Sequence, residues 1–213
     1  MMKILELFAG TRSIGKAFEK KGHEVYSVDW DKKFKNISLY ADISKLTVSD
    51  IYKLCNGKPD VIWASPDCTT FSIAGISHHR IKNEKNGNLE PKSEYAKFCD
   101  QVDKHVISLI KQIKPKYWFI ENPRGGMRKM EWMLEFTRYT VTYCQYGDDR
   151  MKPTDIWTNH PNPKFKKPCK NGDSCHVSAP RGSKTGTQGL KSKIERSMIP
   201  KKLCEHIVEI CEN

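Results

Sequence analysis

The stretch KILELFAGTRSIGKAF (residues 3–18) sets a short apolar run, a glycine turn and a helical pattern in immediate succession. Lys3–Leu7 predicts a core strand that ends at Ala9-Gly10. Ser13–Lys21 predicts a helix with Ile14, Ala17 and Phe18 on one face, stopped by Gly22. A strand, a tight glycine turn and a helix form the first unit of an α/β sheet. The free N–H groups at such a helix start are a ready anion site. The glycines follow no G-x-G-x-x-G pattern, which argues against an ordinary dinucleotide site.

Outward from this unit the alternation continues. Glu24–Val28 predicts a second strand closed by Asp29-Trp30-Asp31, and a third short strand ends near Asp42. Val48–Cys55 predicts a short helix. Asp60–Ala64 (DVIWA) predicts a buried strand running into Ser65-Pro66-Asp67-Cys68. Ser93–Lys114 is the longest helical stretch, with Phe98, Val102, Val106, Leu109, Ile110 and Ile113 as its apolar stripe. Tyr117–Ile120 predicts another buried strand, ending at Glu121-Asn122-Pro123. Tyr139–Tyr146 and Asp155–Thr158 predict late strands, and Ile199–Ile210 a closing amphipathic helix with Pro200 in its first turn. Strands alternating with helices imply a parallel sheet. The chemically interesting residues all follow carboxyl ends of predicted strands, the edge at which open α/β sheets bind ligands.

Two stretches break the rhythm. Residues 73–91 are polar, with little periodicity, and predict a long mobile loop of functional use. Residues 160–196 are rich in Lys, Pro, Gly and Ser and predict a small irregular lobe. The expected organisation is a catalytic and cofactor-binding domain over 1–159, a basic recognition lobe over 160–195, and a returning helix over 196–213.

The formal charge is +12, which points to a polyanionic partner, nucleic acid first. No apolar run is long enough to span a bilayer, and the first residues lack a secretion signal. The eight scattered cysteines then suit a reduced, cytoplasmic protein better than a disulfide framework.

The motifs LELFAGTRSIGKAF, VDWDK, ADIS, ASPDCTTFS and ENP, in this order, resemble those of the cytosine-C5 DNA methyltransferases. The resemblance covers Lys3 to about Tyr146, and Arg196 to the end. It implies the α/β class I methyltransferase fold, Rossmann-like, with a seven-stranded, mostly parallel sheet and a small irregular recognition lobe. It further implies S-adenosyl-L-methionine as cofactor. Phe8, Ala9 and Gly10 would line its methionine and ribose, with Thr11 and Pro66 beside them. Asp29 would hold the ribose hydroxyls, Trp30 pack on adenine, Asp42 accept from its amino group with Ile43 alongside, and Ser197 approach the carboxylate.

The same resemblance makes Cys68 the nucleophile. The family's P-P-C-Q-x-F-S is read here as Pro66-Asp67-Cys68-Thr69-Thr70-Phe71-Ser72. C5 of cytosine is too weak a nucleophile to take a methyl directly, and thiolate addition at C6 makes it enamine-like. Glu121 would face N3 and the amino group of a flipped base, with Asn122 next to it. The family's Gln-x-Arg-x-Arg stretch is not intact. Residues 146–154 stand in its place, with Arg150 and Lys152 as substitutes. The implied partner is double-stranded DNA, bound by a monomer, with His78, His79, Arg80, Lys82 and Lys85 closing over phosphates. The short lobe implies a short or relaxed target sequence. Lys164, Lys166, Lys167, Arg181, Lys184, Lys191 and Lys193 supply its basic surface.

Cys169, Cys175 and His176 are candidate zinc ligands, with Cys144 a conceivable fourth. Two other functions remain open on sequence: methylation of cytosine in transfer RNA by the same chemistry, and a non-catalytic nucleic-acid-binding protein that keeps the fold.

Overall fold

A computed structural model describes residues 1–178 and 192–213. Its centre is a seven-stranded sheet. In chain order the strands of the protein are β1 (Lys3–Leu7), β2 (Glu24–Asp29), β3 (Leu39–Tyr40), β4 (Val61–Ala64), β5 (Arg80–Lys82), β6 (Leu89–Pro91), β7 (Tyr117–Pro123), β8 (Arg138–Thr142) and β9 (Pro153–Thr158). The helices are α1 (Ser13–Lys20), α2 (Val48–Leu54), α3 (Ile76–His79), α4 (Glu94–Ile113), α5 (Lys193–Ser197) and α6 (Lys201–Glu212).

The main sheet runs in the order β3-β2-β1-β4-β7-β9-β8, and β5 pairs only with β6. The first five strands are parallel, while β9 runs antiparallel to both β7 and β8. This is the seven-stranded, mostly parallel sheet expected from the resemblance. The strand order reverses between β1 and β4, the topological switch point where α/β sheets place their ligands.

Parallel strands buried on both faces read as continuous apolar runs, and alternate residues serve opposite layers. In β4, Ile62 and Ala64 join a core with Leu5, Leu7 and the stripe of α4, including Val106 and Ile110. Val61 and Trp63 join the opposite core, with Ile14 and Phe18 of α1 and Leu203, Ile207 and Val208 of α6.

Local chemistry sets the helix ends. Thr47 and Asp50 form a reciprocal capping box at the start of α2. The Ser93 hydroxyl accepts from Ala96 N–H at 3.1 Å, starting α4 one residue after the expected position. Pro200 precedes α6 as its cap instead of lying in its first turn. Two further boundaries differ from expectation. β7 continues through Glu121 to Pro123 because β9 pairs with it along that length. The predicted strand 139–146 stops at Thr142, and Tyr143–Tyr146 forms a 3-10 turn closed by Gly147.

The polar stretch 73–91 is not an irregular loop. It folds as α3 followed by the β5–β6 hairpin, with Arg80 opposite Pro91. Beyond β9, residues 160–178 contain no helix or strand. No helix among the described residues is long and apolar enough to cross a membrane.

Candidate active site

The register of the parallel strands builds the site. Leu7 lies opposite both Val28 and Ala64, and Ala64 lies opposite Ile120. Phe8-Ala9-Gly10, Asp29-Trp30, Ser65–Cys68 and Glu121-Asn122 therefore all emerge from one edge of the sheet.

On the cofactor side, the turn after β1 is tightly coiled. Phe8 (φ 55°), Gly10 (φ 49°) and Arg12 (φ 59°) all adopt the left-handed region. For Phe8 and Arg12 this is a strained conformation of the kind that gathers at functional sites. Asp29 holds the turn in place. Its Oδ2 accepts from Gly10 N–H at 2.8 Å and its Oδ1 from Asp31 N–H at 2.9 Å. A carboxylate has lone pairs left after two such bonds, so it can also receive a hydroxyl pair. Trp30 next to it is 71 % exposed, unusual for so large a ring. Thr11 Oγ1 bonds Ser13 Oγ, which also accepts from Ile199 N–H, so the C-terminal motif does reach this turn.

Other expected cofactor residues are placed less directly. Asp42 caps the turn Ile43–Lys45, accepting from the Ser44 backbone N–H at 3.0 Å and from its hydroxyl at 2.6 Å. The Ser44 hydroxyl bond holds its pKa below the usual range. Ile43 lies in the core. The Ser197 hydroxyl donates to Ile194 O.

Two features test the fit to S-adenosylmethionine. The Trp30 ring stands open beside a buried carboxylate, as an adenosine site requires. Asn122 Nδ2 donates to Pro66 O at 3.1 Å, while its Oδ1 is buried without a partner among the described residues. That orphan acceptor at the edge between β4 and β7 suits a donor on a bound group. The residues fit.

On the catalytic side, Cys68 is half-buried and starts a short coil in which its carbonyl accepts from Phe71 N–H and Ser72 N–H. Burial pushes its thiol up to about 11; Asp67 and Glu121 add to the rise, and Lys152 opposes it. Glu121 is buried, and this raises its carboxyl; Lys152, Ser65 and Tyr143 act the other way. The Tyr143 hydroxyl donates to Glu121 Oε1 at 3.2 Å. The Lys152 ammonium lies 4.6 Å from the centre of the Tyr143 ring and donates to Arg196 O at 2.7 Å. Burial lowers its pKa, while Glu121 and then Cys68 raise it. Glu121, Tyr143 and Lys152 thus form one linked unit beside the strand end that carries Cys68.

Of the two substitutes for the altered motif, Lys152 belongs to this unit. Arg150 is buried and held by Asp148 through Nε at 2.8 Å and through Nη2. Its Nη1 also reaches Glu195 O.

Arg80 requires a correction. It was expected on phosphates, but it is buried. Its guanidinium takes both oxygens of Asp100, bonds Thr70 O at 2.9 Å and Thr70 Oγ1 at 3.0 Å, and lies 4.0 Å from the Phe71 ring centre. It clamps the coil just after Cys68 instead of meeting solvent. His79 bonds Ser93, while His78, Lys82 and Lys85 are exposed. Arg181, Lys184 and Lys191 lie outside the described residues.

Tyr143, Ser65 and Asp100 were missed on sequence. Tyr143 and Asp100 sit in no motif, and Ser65, though inside ASPDCTTFS, was given no role; their roles come from the strand register and the packing of α4.

The profile of the family described as C-5 cytosine-specific DNA methylase matches residues 2–133. A frog virus 3 protein named "Probable DNA (cytosine-5)-methyltransferase" is 28 % identical, over 99 % of this chain and 100 % of its own length. The type II methyltransferase M.FnuDI of Fusobacterium nucleatum is 30 % identical over 60 % of this chain, which is 34 % of that enzyme. Among solved structures, the S. pombe Dnmt2 methyltransferase superposes with a TM-score of 0.52 at 16 % identity, over 74 % of this chain and 50 % of its own. The Entamoeba histolytica methyltransferase EhMeth gives 0.52 at 16 % identity, over 83 % and 56 %. The structural likenesses establish the fold. The chain spans the whole viral relative but only about half of those two solved structures.

Proposed function

The chain belongs to the C-5 cytosine-specific DNA methylase family, and on that premise we propose that it methylates C5 of cytosine in duplex DNA with Cys68 as nucleophile and Glu121 as its acid partner. The observation that carries the reading is the placement of Cys68 and Glu121 at the ends of the paired strands β4 and β7, with Tyr143 donating to Glu121 and the Lys152 ammonium over the Tyr143 ring.

A cytosine inside a duplex is out of reach, so the target base swings out of the stack at a cost of about a few kcal/mol. The thiolate of Cys68 adds to C6, and the ring's electrons move toward N3. Glu121, whose carboxyl is pushed up by burial, lends a proton to N3 and stabilises that charge. S-adenosylmethionine supplies an electrophilic methyl group when bound, held by the Phe8–Thr11 turn, Asp29 and Trp30. As C5 bonds the methyl, the Glu121 carboxylate takes the N3 proton back; the C5 proton then passes to solvent water, and the C5–H electrons form the C5–C6 double bond and expel the Cys68 thiolate, which restores the ring. Lys152 supplies positive charge to both Cys68 and Glu121, and Asn122 fixes the Pro66 carbonyl. Arg150 supports this loop through Asp148.

Residues 1–159 carry cofactor and catalysis, the basic segment 160–195 contacts DNA, and 196–213 return to the sheet. The enzyme works as a monomer in a reducing, cytoplasmic setting, in keeping with eight free cysteines. Zinc is the second assigned group, at the thiol–imidazole cluster around Cys169, Cys175 and His176.

The test is transfer of labelled methyl from S-adenosylmethionine to mixed-sequence duplex DNA and, in parallel, to transfer RNA. Label on C5 of DNA cytosine from the wild type, and none from Cys68→Ser, is the expected result. Label on transfer RNA alone would replace DNA by RNA as substrate. Cofactor binding with no transfer to either would leave a binding protein.

A further inference from the structure

Residues 160–178 have almost no core of their own. Only Pro163 and Cys169 are buried among them. His160 packs on Tyr117 and Phe165 on Tyr139 and His206, but past Phe165 only Cys169 is buried, so residues 166–178 do not hold a fixed path by apolar packing; small irregular units commonly rely on a metal or a disulfide instead. Yet Cys169, Cys175 and His176 gather around Cys144, which belongs to the 3-10 turn after β8. One ligand atom from each lies within 4.8 Å of all the others.

Three of the spacings suit a tetrahedral ion. Cys175 Sγ is 3.6 Å from Cys144 Sγ and 3.6 Å from His176 Nδ1, and Cys169 Sγ is 3.7 Å from that nitrogen. Zinc–sulfur bonds of about 2.3 Å give tetrahedral edges of roughly 3.8 Å. Cys144 and Cys169 are 3.0 Å apart, well beyond the roughly 2.0 Å of a disulfide bond. A side-chain amide donates to one of the sulfurs, and a backbone bond holds a second ligand in place. Gln145 Nε2 points at Cys175 Sγ at 3.4 Å, and Cys169 is anchored by its N–H to Thr142 Oγ1 at 3.0 Å. Four protein ligands leave no open position, so the site is structural, not catalytic.

The position of Cys144 decides what such an ion would control. Its neighbour Tyr143 donates to Glu121 and lies under Lys152, and Tyr143 N–H bonds Met151 O at 2.9 Å. On the other side, Val177, next to His176, donates its N–H to Asp149 O at 2.9 Å. Both flanks of the cluster therefore grip the 147–152 loop that carries Lys152. Resting on the zinc assignment above, we propose that Cys144, Cys169, Cys175 and His176 Nδ1 bind one Zn²⁺ that staples segment 169–177 to the turn behind Glu121. The ion fixes the basic segment and the Lys152 loop in one arrangement.

The experiment uses the full chain under reducing conditions. Metal analysis is expected to find one zinc per chain, and replacement by Co²⁺ to give the absorption of a tetrahedral thiolate site. Cys175→Ser, chosen because Cys175 is exposed, is expected to weaken zinc binding at least tenfold without unfolding the protein. Hydrogen exchange of the amides of residues 142–152 and 166–177 is expected to slow when zinc is added back to chelator-treated protein, at least tenfold. Failure to take up zinc or cobalt, or a Cys144–Cys169 disulfide in the reduced protein, would overturn the metal site. Stoichiometric zinc with unchanged exchange at 142–152 would overturn the staple while leaving the zinc assignment standing. None of these readouts depends on methyl transfer.

Discussion

Arg80 grips Asp100 at two points, Nη2 to Oδ1 at 2.6 Å and Nη1 to Oδ2 at 3.2 Å, with both side chains buried. The pair joins the β5–β6 hairpin to α4 directly beneath the coil that follows Cys68. Asp103 lies near it, its carboxyl pushed well up by burial and by Asp100 and eased by Arg80. Removing one member of a buried ion pair leaves an uncompensated charge and costs about 3–5 kcal/mol. Arg80→Met is therefore expected to lower unfolding free energy by that order, and Arg80→Met with Asp100→Leu by clearly less. Denaturant titration of the three variants checks this. A loss under 1 kcal/mol in the single variant would show that the pair contributes little.

The charges around Cys68 have opposite signs, so two substitutions should move the thiol in opposite directions. Burial lifts the thiol pKa from its ordinary 9.0 to about 11; Glu121→Gln removes one of the smaller contributions to that rise, and Lys152→Met removes the cation that opposes it. Alkylation at Cys68, followed by peptide mass spectrometry at pH 8, should be faster than wild type in Glu121→Gln and slower in Lys152→Met. A shift of one pKa unit corresponds to about a tenfold change in thiolate fraction well below the pKa. Equal rates in the two variants would mean that neither charge senses the thiol.

Glu6 is buried inside β1 against α1, where a side chain at Gly15 would collide with its carboxylate. Burial lifts its pKa from 4.5 to about 7, with the Gly15 backbone and Arg12 partly offsetting it. The folded state thus holds this proton more tightly than the unfolded chain. Its contribution to stability is complete below pH 4.5 and is lost as the pH rises through about 7. The loss amounts to on the order of 3 kcal/mol. Glu6→Gln should remove this slope, becoming more stable relative to wild type at pH 8 than at pH 5. Thermal melts at both values read the difference, and parallel pH profiles would contradict the shifted carboxyl.

Trp30 has most of its ring in solvent beside Asp29. If it covers adenine, Trp30→Ala loses a stacking contact of about 1 kcal/mol. Calorimetric titration with S-adenosylmethionine should show roughly five- to tenfold weaker binding with an unchanged melting temperature. Unchanged affinity would move the adenine elsewhere.

Much of the site was legible before folding. Cys68, Glu121, Asp29 and Gly10 each follow or end an apolar run, and short apolar runs between helices reveal where strands finish. The hairpin at 80–91 was not legible, because its order comes from Arg80 finding Asp100 and Thr70, not from periodicity. Arg80 looked like a phosphate contact for the same reason: a sequence shows charge but not the partner that neutralises it. Both Arg150 and Lys152 were read as substitutes on sequence, with Arg150 the one expected among the catalytic residues. Backbone turns at Gly147 and Lys152 separated them, directing one to Glu121 and the other to Asp148.

By itself, then, the sequence determined the alternation of strands and helices, the family motifs, and the residues released at the strand ends, because these depend on local pattern and near neighbours. Only the tertiary structure decided which of those residues share an electrostatic field, which cation is buried in a clamp, and that Cys144 meets Cys169, Cys175 and His176. Each of these depends on groups distant in the chain, brought within a few ångströms by sheet register and helix packing. At that range, burial and Coulomb interaction set a side chain's role more strongly than its sequence neighbours do.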